Sequence, residues 1–424
     1  MNTRIGAQVL TVDLFGTLVG TLTWLPSQQI VFAFSQEYLS DPTRPTLSLS
    51  YRDAITGVRS KVKPTSIRVP PFFSNLLPEG KLRTYLARRA NVNESQEFFL
   101  LAGLRQDLPG AVRLVGDQSL QAPDHSAQSS DEGPLRFSLA GMQLKLSGNM
   151  NQDKVVIPAS GAGGHWIVKL PVPALPRINE LEYSMLRFAK EIGIDTPEIQ
   201  LIPIQEIEGI PQDLPETMIG NCLISRRFDR TGADRVHMED FCQVFGLYDK
   251  YDPRFNYQSL SSVLWTQVGL PAVEEFVRRL VFSIAIGNAD MHLKNWSLIY
   301  PDGRDPRLSP AYDFVPSAPI YTHTYQKLAL KLAGEKRFEY IDIDHFKKMS
   351  ALAKLPERAV LSAANQAVEA IHEVWPKIRG DLPISASDRR LIGEFIEKSG
   401  LLHHQKPRST NADAKTSTDA DASI

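Results

Sequence analysis

The sequence predicts an α+β fold in three unequal parts: strand-rich, then mixed, then mainly helical. Three observations lead there. Alternating and β-branched runs crowd residues 1–116. Short strand-like segments surround one amphipathic helix in 136–228. From Asp229 onward, apolar residues recur mostly at helical spacing.

The strand-rich part opens with Val9–Phe15 and Thr17–Trp24 around a turn at Gly16, followed by Ile30–Phe34. Helices are expected over Gly80–Ala90 and Ser95–Leu104, then a turn at Leu108-Pro-Gly and a last strand. Residues 117–135 are rich in Ser, Asp, Gln and Pro and nearly free of apolar side chains, so they read as a flexible linker. In 136–228 the expected strands are Arg136–Leu139, Leu144–Ser147, Lys154–Pro158, Trp166–Leu170, Gln200–Ile207 and Cys222–Phe228. A helix from Asn179 to Ile192 interrupts them, with Leu181, Met185, Phe188, Ala189 and Ile192 on one face. In the helical part, 229–402, Pro271 followed by Ala-Val-Glu-Glu marks a helix running to about Gly287. Further helices are expected at Asp344–Ala353, Glu357–Trp375 and Ser387–Lys398; the polar tail 403–424 is expected to be disordered.

Composition sets the outer limits. The chain has 424 residues, 42% hydrophobic and 22% charged, ordinary for globular domains. A formal net charge of -1 argues against an electrostatic grip on nucleic acid by the whole surface. Cys222 and Cys242 belong to no CxxC pair and read as buried thiols in a reducing compartment. Neither a signal-peptide h-region nor an apolar run of membrane-spanning length occurs, so a cytoplasmic protein is expected.

The chemistry concentrates in Gly287-Asn-Ala-Asp-Met-His-Leu-Lys-Asn295 and the later Ala311-Tyr-Asp-Phe314. An Asp five positions before an Asn, between an apolar helix and a short strand, suits phosphoryl transfer. Asp290 fits a base that orients the attacking hydroxyl, while Asn295 and Asp313 offer hard oxygens to Mg²⁺. A bare helix end and turn would carry the same residue types. Trp166-Ile-Val-Lys169 ends a hydrophobic strand on a lysine, and the next helix holds Glu180 and Glu182. A strand lysine positioned by a helix glutamate is how kinases hold ATP phosphates, although lysines also snorkel from strand ends. Leu223–Phe228 is an extended lobe junction that can offer backbone groups to adenine, or simply a strand. The small-residue loop Ala140, Gly141, Met142, Gln143 can cover phosphates with N–H groups. Gly161-Ala-Gly-Gly164 reads as a turn, and no Walker A, G-x-S-x-G or H-E-x-x-H motif is present.

Taken in order, these segments resemble the HipA kinases, the toxin half of HipBA-type toxin–antitoxin pairs. The likeness runs from about Gln8 to about residue 400. It rests on Phe72-Phe-Ser-Asn-Leu-Leu-Pro-Glu79, Gly110-Ala-Val-Arg-Leu114, Phe137-Ser-Leu-Ala-Gly-Met-Gln-Leu-Lys145, Trp166-Ile-Val-Lys-Leu-Pro171 and Glu182-Tyr183. It continues through Arg227-Phe-Asp-Arg230, Glu239-Asp-Phe-Cys-Gln243, Asn288–Asn295 and Tyr312-Asp-Phe314. The resemblance implies a two-lobed protein-kinase-like fold with an extra N-terminal β-rich subdomain and a mainly helical C-lobe. It implies ATP and Mg²⁺ as cofactors, Lys169 on the phosphates, Asp290 as base, and Asn295 and Asp313 on the metal. Arg226 and Phe228 would meet adenine through their backbone, and His292 and Lys294 would join the nucleotide site. Ser138 would be a self-phosphorylation site. The implied partners are a small helix-turn-helix antitoxin of HipB type and a protein substrate, with aminoacyl-tRNA synthetases among the family's substrates. DNA would be met only through the antitoxin. Ala289 stands where ordinary protein kinases have Arg, and Val315 where they have Gly, both in keeping with the HipA pattern. Arg226 stands where the family has an acidic hinge residue. Two other classes share parts of this pattern: a small-molecule kinase of aminoglycoside-phosphotransferase type, and a non-enzymatic nucleotide-binding corepressor.

Overall fold

Alternation along the first strands gives each a face to bury, and the chain pairs them accordingly. The computed structural model describes residues 6–105, 107–116, 120, 143–151, 154–158, 163–175, 177–211, 218–232, 234–320 and 327–403. Five antiparallel strands form the N-terminal sheet, in the order Thr65–Ser66, Gln29–Phe34, Thr17–Trp24, Gln8–Leu14, Val112–Gly116. Phe15 (φ 56°) and Gly16 (φ 80°) both turn left-handed in the first hairpin, as a two-residue turn between twisted strands requires. The buried face, with Leu10, Val12, Leu22, Ile30 and Phe32, packs against Phe72, Phe73, Phe98 and Leu101.

The second sheet has six strands, in the order Ile199–Pro203, Asn221–Arg226, Trp166–Lys169, Lys145–Asn151, Lys154–Val156, Ile207–Glu208. The expected single strand Gln200–Ile207 is broken. Pro203 and one 3-10 turn, Ile204–Glu206, divide it, and Ile207–Glu208 joins the opposite edge parallel to Lys154–Val156. One segment thus supplies both edges of a curled sheet. Tyr85, Leu82 and Leu86, on the Gly80–Arg89 helix of the N-terminal part, pack into this sheet's core.

Helix Ile178–Glu191 turns Leu181, Met185, Phe188 and Ala189 into the core of the helical part. Phe188 meets Phe282 at 5.1 Å and Trp375 at 5.3 Å between ring centroids. The expected helices are present as Leu270–Ala285, Ile343–Ala353, Glu357–Ile378 and Ala386–Lys398. The acids after Pro271 sit past the first turn of their helix, where Glu275 pairs with Arg279 at 2.8 Å. This part is less purely helical than expected. It also holds the antiparallel strands His237–Asp240, Ser297–Tyr300 and Arg307–Leu308, a hairpin Lys327–Leu332 with Glu335–Arg337, and the helices Phe241–Phe245 and Tyr257–Gln267. His403, expected in the tail, closes a one-turn helix Gly400–His403. The strand expected at Arg136–Leu139 and the tail from 404 lie outside the described residues.

Candidate active site

Lys169 ends a strand whose neighbours in register are Leu223 on one side and Lys145 on the other. Its side chain is buried, and its ammonium lies 2.5 Å from Glu182 Oε1 on the helix that follows. Of the two glutamates the sequence left open, Glu182 is the partner; Glu180 accepts instead from Asn221 Nδ2 at 2.8 Å. The Lys169 ammonium also donates to Asp313 Oδ1, and the Lys145 ammonium lies 3.2 Å from Asp313 Oδ2. Burial opposes the charge on Lys169, but Asp313 and Glu182 outweigh it and hold the amine above its ordinary pKa. Burial likewise pushes the Asp313 carboxyl up, and Lys145 and Lys169 more than reverse this, holding it well below the carboxylate range.

The loop carrying Asp290 leaves helix Leu270–Ala285 through Gly287, at φ 66°. Asn288, fully buried, is the residue the sequence argument missed. Its Oδ1 accepts from the Asp290 N–H at 3.1 Å, and its Nδ2 donates to the Asp313 carbonyl at 3.2 Å. One amide therefore ties the loop of Asp290 to the segment of Asp313. Its signal was its position, two before Asp290 in the same polar loop. The Asp290 carbonyl accepts from His292 N–H and from Asn295 Nδ2, each at 2.8 Å, while its side chain is 65% exposed. With Nδ2 so fixed, Asn295 Oδ1 has no partner among the described residues. That oxygen and the Asp313 carboxylate are hard donors suited to Mg²⁺, which takes its remaining ligands from water and phosphate. Among the described residues no three His, Cys, Asp or Glu side chains are grouped to hold a metal.

The other residues expected at the site have these partners. The Lys294 ammonium is 3.1 Å from Glu79 Oε1 and 3.9 Å from Asp240 Oδ2. Two acids at hand and little room for water make that inward position favourable. Gln143 spends its amide on the Leu170 carbonyl, at 3.0 Å, and on Asn179 Oδ1, bracing the sheet. His292 is buried, and burial lowers its pKa from 6.5 to about 4, so it is neutral at pH 7. At the junction, Arg226 is exposed with its guanidinium 3.3 Å from Glu198. The N–H groups of Arg226 and Arg227 are used by the Glu198 and His165 carbonyls, both at 2.8 Å. The Phe228 N–H has no partner among the described residues, and its ring lies 5.8 Å from that of Tyr312. Ser138, Ala140, Gly141 and Met142 lie outside the described residues.

This geometry can be set beside known proteins. The HipA-like C-terminal domain family matches residues 137–375, and the HipA N-terminal domain family matches residues 10–115. The chain belongs to the HipA family. A relative in Sinorhizobium fredii, Y4dM, named as a candidate kinase, is 45% identical over 386 residues, covering 89% of this chain and 94% of the relative. The serine/threonine-protein kinase toxin HipA of Shewanella oneidensis is 26% identical over 312 residues, covering 64% of this chain and 68% of that one. A solved structure of Shewanella oneidensis HipA with HipB and operator DNA superposes with a TM-score of 0.69 at 19% identity. It covers 93% of this chain and 99% of that chain. The fold is therefore the two-lobed, kinase-like HipA fold with its N-terminal β-rich part. No helix among the described residues is long and apolar enough to cross a membrane.

Proposed function

We propose that this HipA-family chain is an ATP-dependent serine/threonine-protein kinase and the toxin of a type II toxin–antitoxin pair. The observation that supports it most is the continuous set Glu182–Lys169–Asp313–Asn288–Asp290, in which side chains link the first three residues and the Asn288 amide joins the Asp313 carbonyl to the Asp290 N–H, the order a phosphoryl-transfer site needs. In this reading residues 1–116 are the HipA-type subdomain, 117–135 a linker, 136–228 the N-lobe, 229–402 the C-lobe and 403–424 a tail. Lys169, set by Glu182, holds the ATP phosphates. The Phe228 N–H is the hinge donor for adenine. Asp290 orients the substrate hydroxyl and takes its proton. Asn295 and Asp313 would hold Mg²⁺, which when bound neutralises charge on the phosphate oxygens.

The proposed substrate is a protein serine or threonine, with an aminoacyl-tRNA synthetase as the first to try. The proposed partner is a small HipB-like helix-turn-helix antitoxin, through which DNA is reached, and the proposed compartment is the cytoplasm. Self-phosphorylation at Ser138 would add about -1.5 to -2 charges beside the triphosphate and repel it, switching the kinase off.

The test is incubation of purified protein with labelled Mg·ATP and cell lysate. Phosphate should appear on protein Ser or Thr, and Asp290→Asn should reduce it by orders of magnitude while ATP binding and folding persist. Equal labelling by wild type and the variant removes Asp290 from the chemistry. Mass spectrometry of the incubated wild type should find phosphate on the Ser138 peptide; its absence refutes the switch.

A further inference from the structure

An exposed carboxylate on a loop can swing, and a base that swings is a poor one, because proton abstraction needs the oxygen held near the hydroxyl. Asp290 is not left free to do so. The segment between helices Phe241–Phe245 and Tyr257–Gln267 brings Tyr251 to it, and the Tyr251 hydroxyl donates to Asp290 Oδ1 at 2.7 Å. His292 Nε2 lies 3.7 Å from the same oxygen, too far for a hydrogen bond. Asp290 Oδ2 has no partner among the described residues. The ring of Tyr251, a residue 45% exposed, meets the buried His292 edge-on at 5.2 Å on its inner side. Partial burial, followed by the bonded Asp290 carboxylate, raises the Tyr251 pKa, so the phenol stays a donor at neutral pH.

The segment bearing Tyr251 is held from the N-terminal part. Lys250 Nζ lies 3.0 Å from Glu79 Oε2. Asn75 Nδ2 donates to the Leu247 carbonyl at 2.7 Å, and Tyr248 OH to the Val69 carbonyl at 3.0 Å. The other oxygen of Glu79 takes Lys294, inside the Asp290–Asn295 loop, at 3.1 Å. One carboxylate thus grips the chain on both sides of the base: beside Tyr251 and beside Asn295.

We infer that Tyr251 is a positioning residue that fixes Asp290 Oδ1 and leaves Oδ2 facing the incoming hydroxyl, and that Glu79 of the N-terminal part holds Tyr251 in place. The inference rests on the kinase reading above. In the step served, the hydroxyl oxygen bonds to the γ-phosphorus and the bond from that phosphorus to the β-bridging oxygen breaks. ADP leaves, and the hydroxyl proton passes to Asp290; Tyr251 keeps its own.

The test measures initial rates of phosphate transfer by the full chain to lysate protein at varied Mg·ATP, with melting temperature and ATP affinity alongside. Tyr251→Phe should lower kcat about 10- to 100-fold while KM for ATP stays within about twofold, with melting temperature and the fraction of chains that bind ATP as in wild type, which excludes a loss of folded enzyme. Glu79→Gln should lower kcat by about 3- to 10-fold, and in the Tyr251→Phe background its further loss should be smaller than its loss alone, because the part that acts through Tyr251 is already gone and only the Lys294 contact remains to be felt. If Tyr251→Phe matches wild-type kcat while Asp290→Asn is inactive, the inference is overturned and the kinase reading stands. If wild type transfers no more phosphate than Asp290→Asn, the kinase reading falls and the inference with it. Independent, multiplying losses in the double variant overturn the role of Glu79.

Discussion

Asp313 sits at φ 57°, a left-handed conformation that costs a non-glycine residue of order 1 kcal/mol and persists where the surroundings enforce it. Here Asn288 holds its carbonyl and two lysines hold its carboxylate. That arrangement makes a specific prediction. Asp313→Ala should weaken Mg·ATP binding about tenfold or more, since a hard cation loses an anionic ligand. The same change frees Lys145 and leaves Lys169 paired with Glu182 alone, so metal-free ATP should bind no more weakly than to wild type. Calorimetry with and without Mg²⁺ separates the two; equal losses in both would mean Asp313 is not a metal ligand. At this scale the sequence was informative where a residue's partner follows from chemical type and chain order, as for Lys169 with a helix glutamate. The partners of Lys294 and Gln143 were not legible, because residue type does not say which way a side chain points. Lys294 turns inward toward Asp240 and toward Glu79, the latter more than 200 positions earlier in the chain.

Helices with clean apolar stripes were legible; those with mixed faces were not. Tyr257–Gln267 buries Tyr257 and Ser261 along with Leu260 and Leu264, so its pattern reads as half polar. Its start is set by Asn256, whose side chain accepts from the Ser259 N–H, a cap that gains meaning only once the helix is known. Leu270–Ala285, by contrast, was visible from Pro271 and the stripe through Val277, Leu280, Val281 and Ile284. This helix supports the site from below. Phe282 is fully buried between Phe188, at 5.1 Å, and Phe314, at 5.0 Å, the residue after Asp313. Phe282→Ala should therefore cost about 3–5 kcal/mol in denaturant unfolding, from lost burial plus an unfilled cavity. A cost under about 1 kcal/mol would show that the neighbours collapse into the space.

On the scale of the whole molecule, what the sequence could not show is how the N-terminal part is fastened to the rest. One fastening is a buried cluster at the junction, where Arg227 and Arg230 each pair with both Asp107 and Asp229 at 2.7–3.0 Å. Another is Glu239, fully buried on strand His237–Asp240. Its carboxyl accepts from Ser48 Oγ at 2.5 Å and from the Leu49 N–H at 2.9 Å, both in the N-terminal part, and from Tyr300 OH. Burial outweighs these donors and raises its pKa from 4.5 to about 7. A carboxyl with a raised folded pKa gives stability that is fully present below about pH 4.5 and lost as pH rises through about 7, since the fold retains a proton that the unfolded chain releases. Glu239→Gln cannot ionise and keeps the size of the protonated acid. The stability of the variant relative to wild type should therefore improve from pH 5 to pH 8, by up to about 3 kcal/mol. For a chain this long that is a change of several degrees in the melting-temperature difference. Comparing variant with wild type at each pH cancels groups that titrate the other way, such as neighbouring His237, which burial lowers to about 4. A difference that stays flat across this range would mean that Glu239 is ionised throughout and that the interface between the two parts carries no proton.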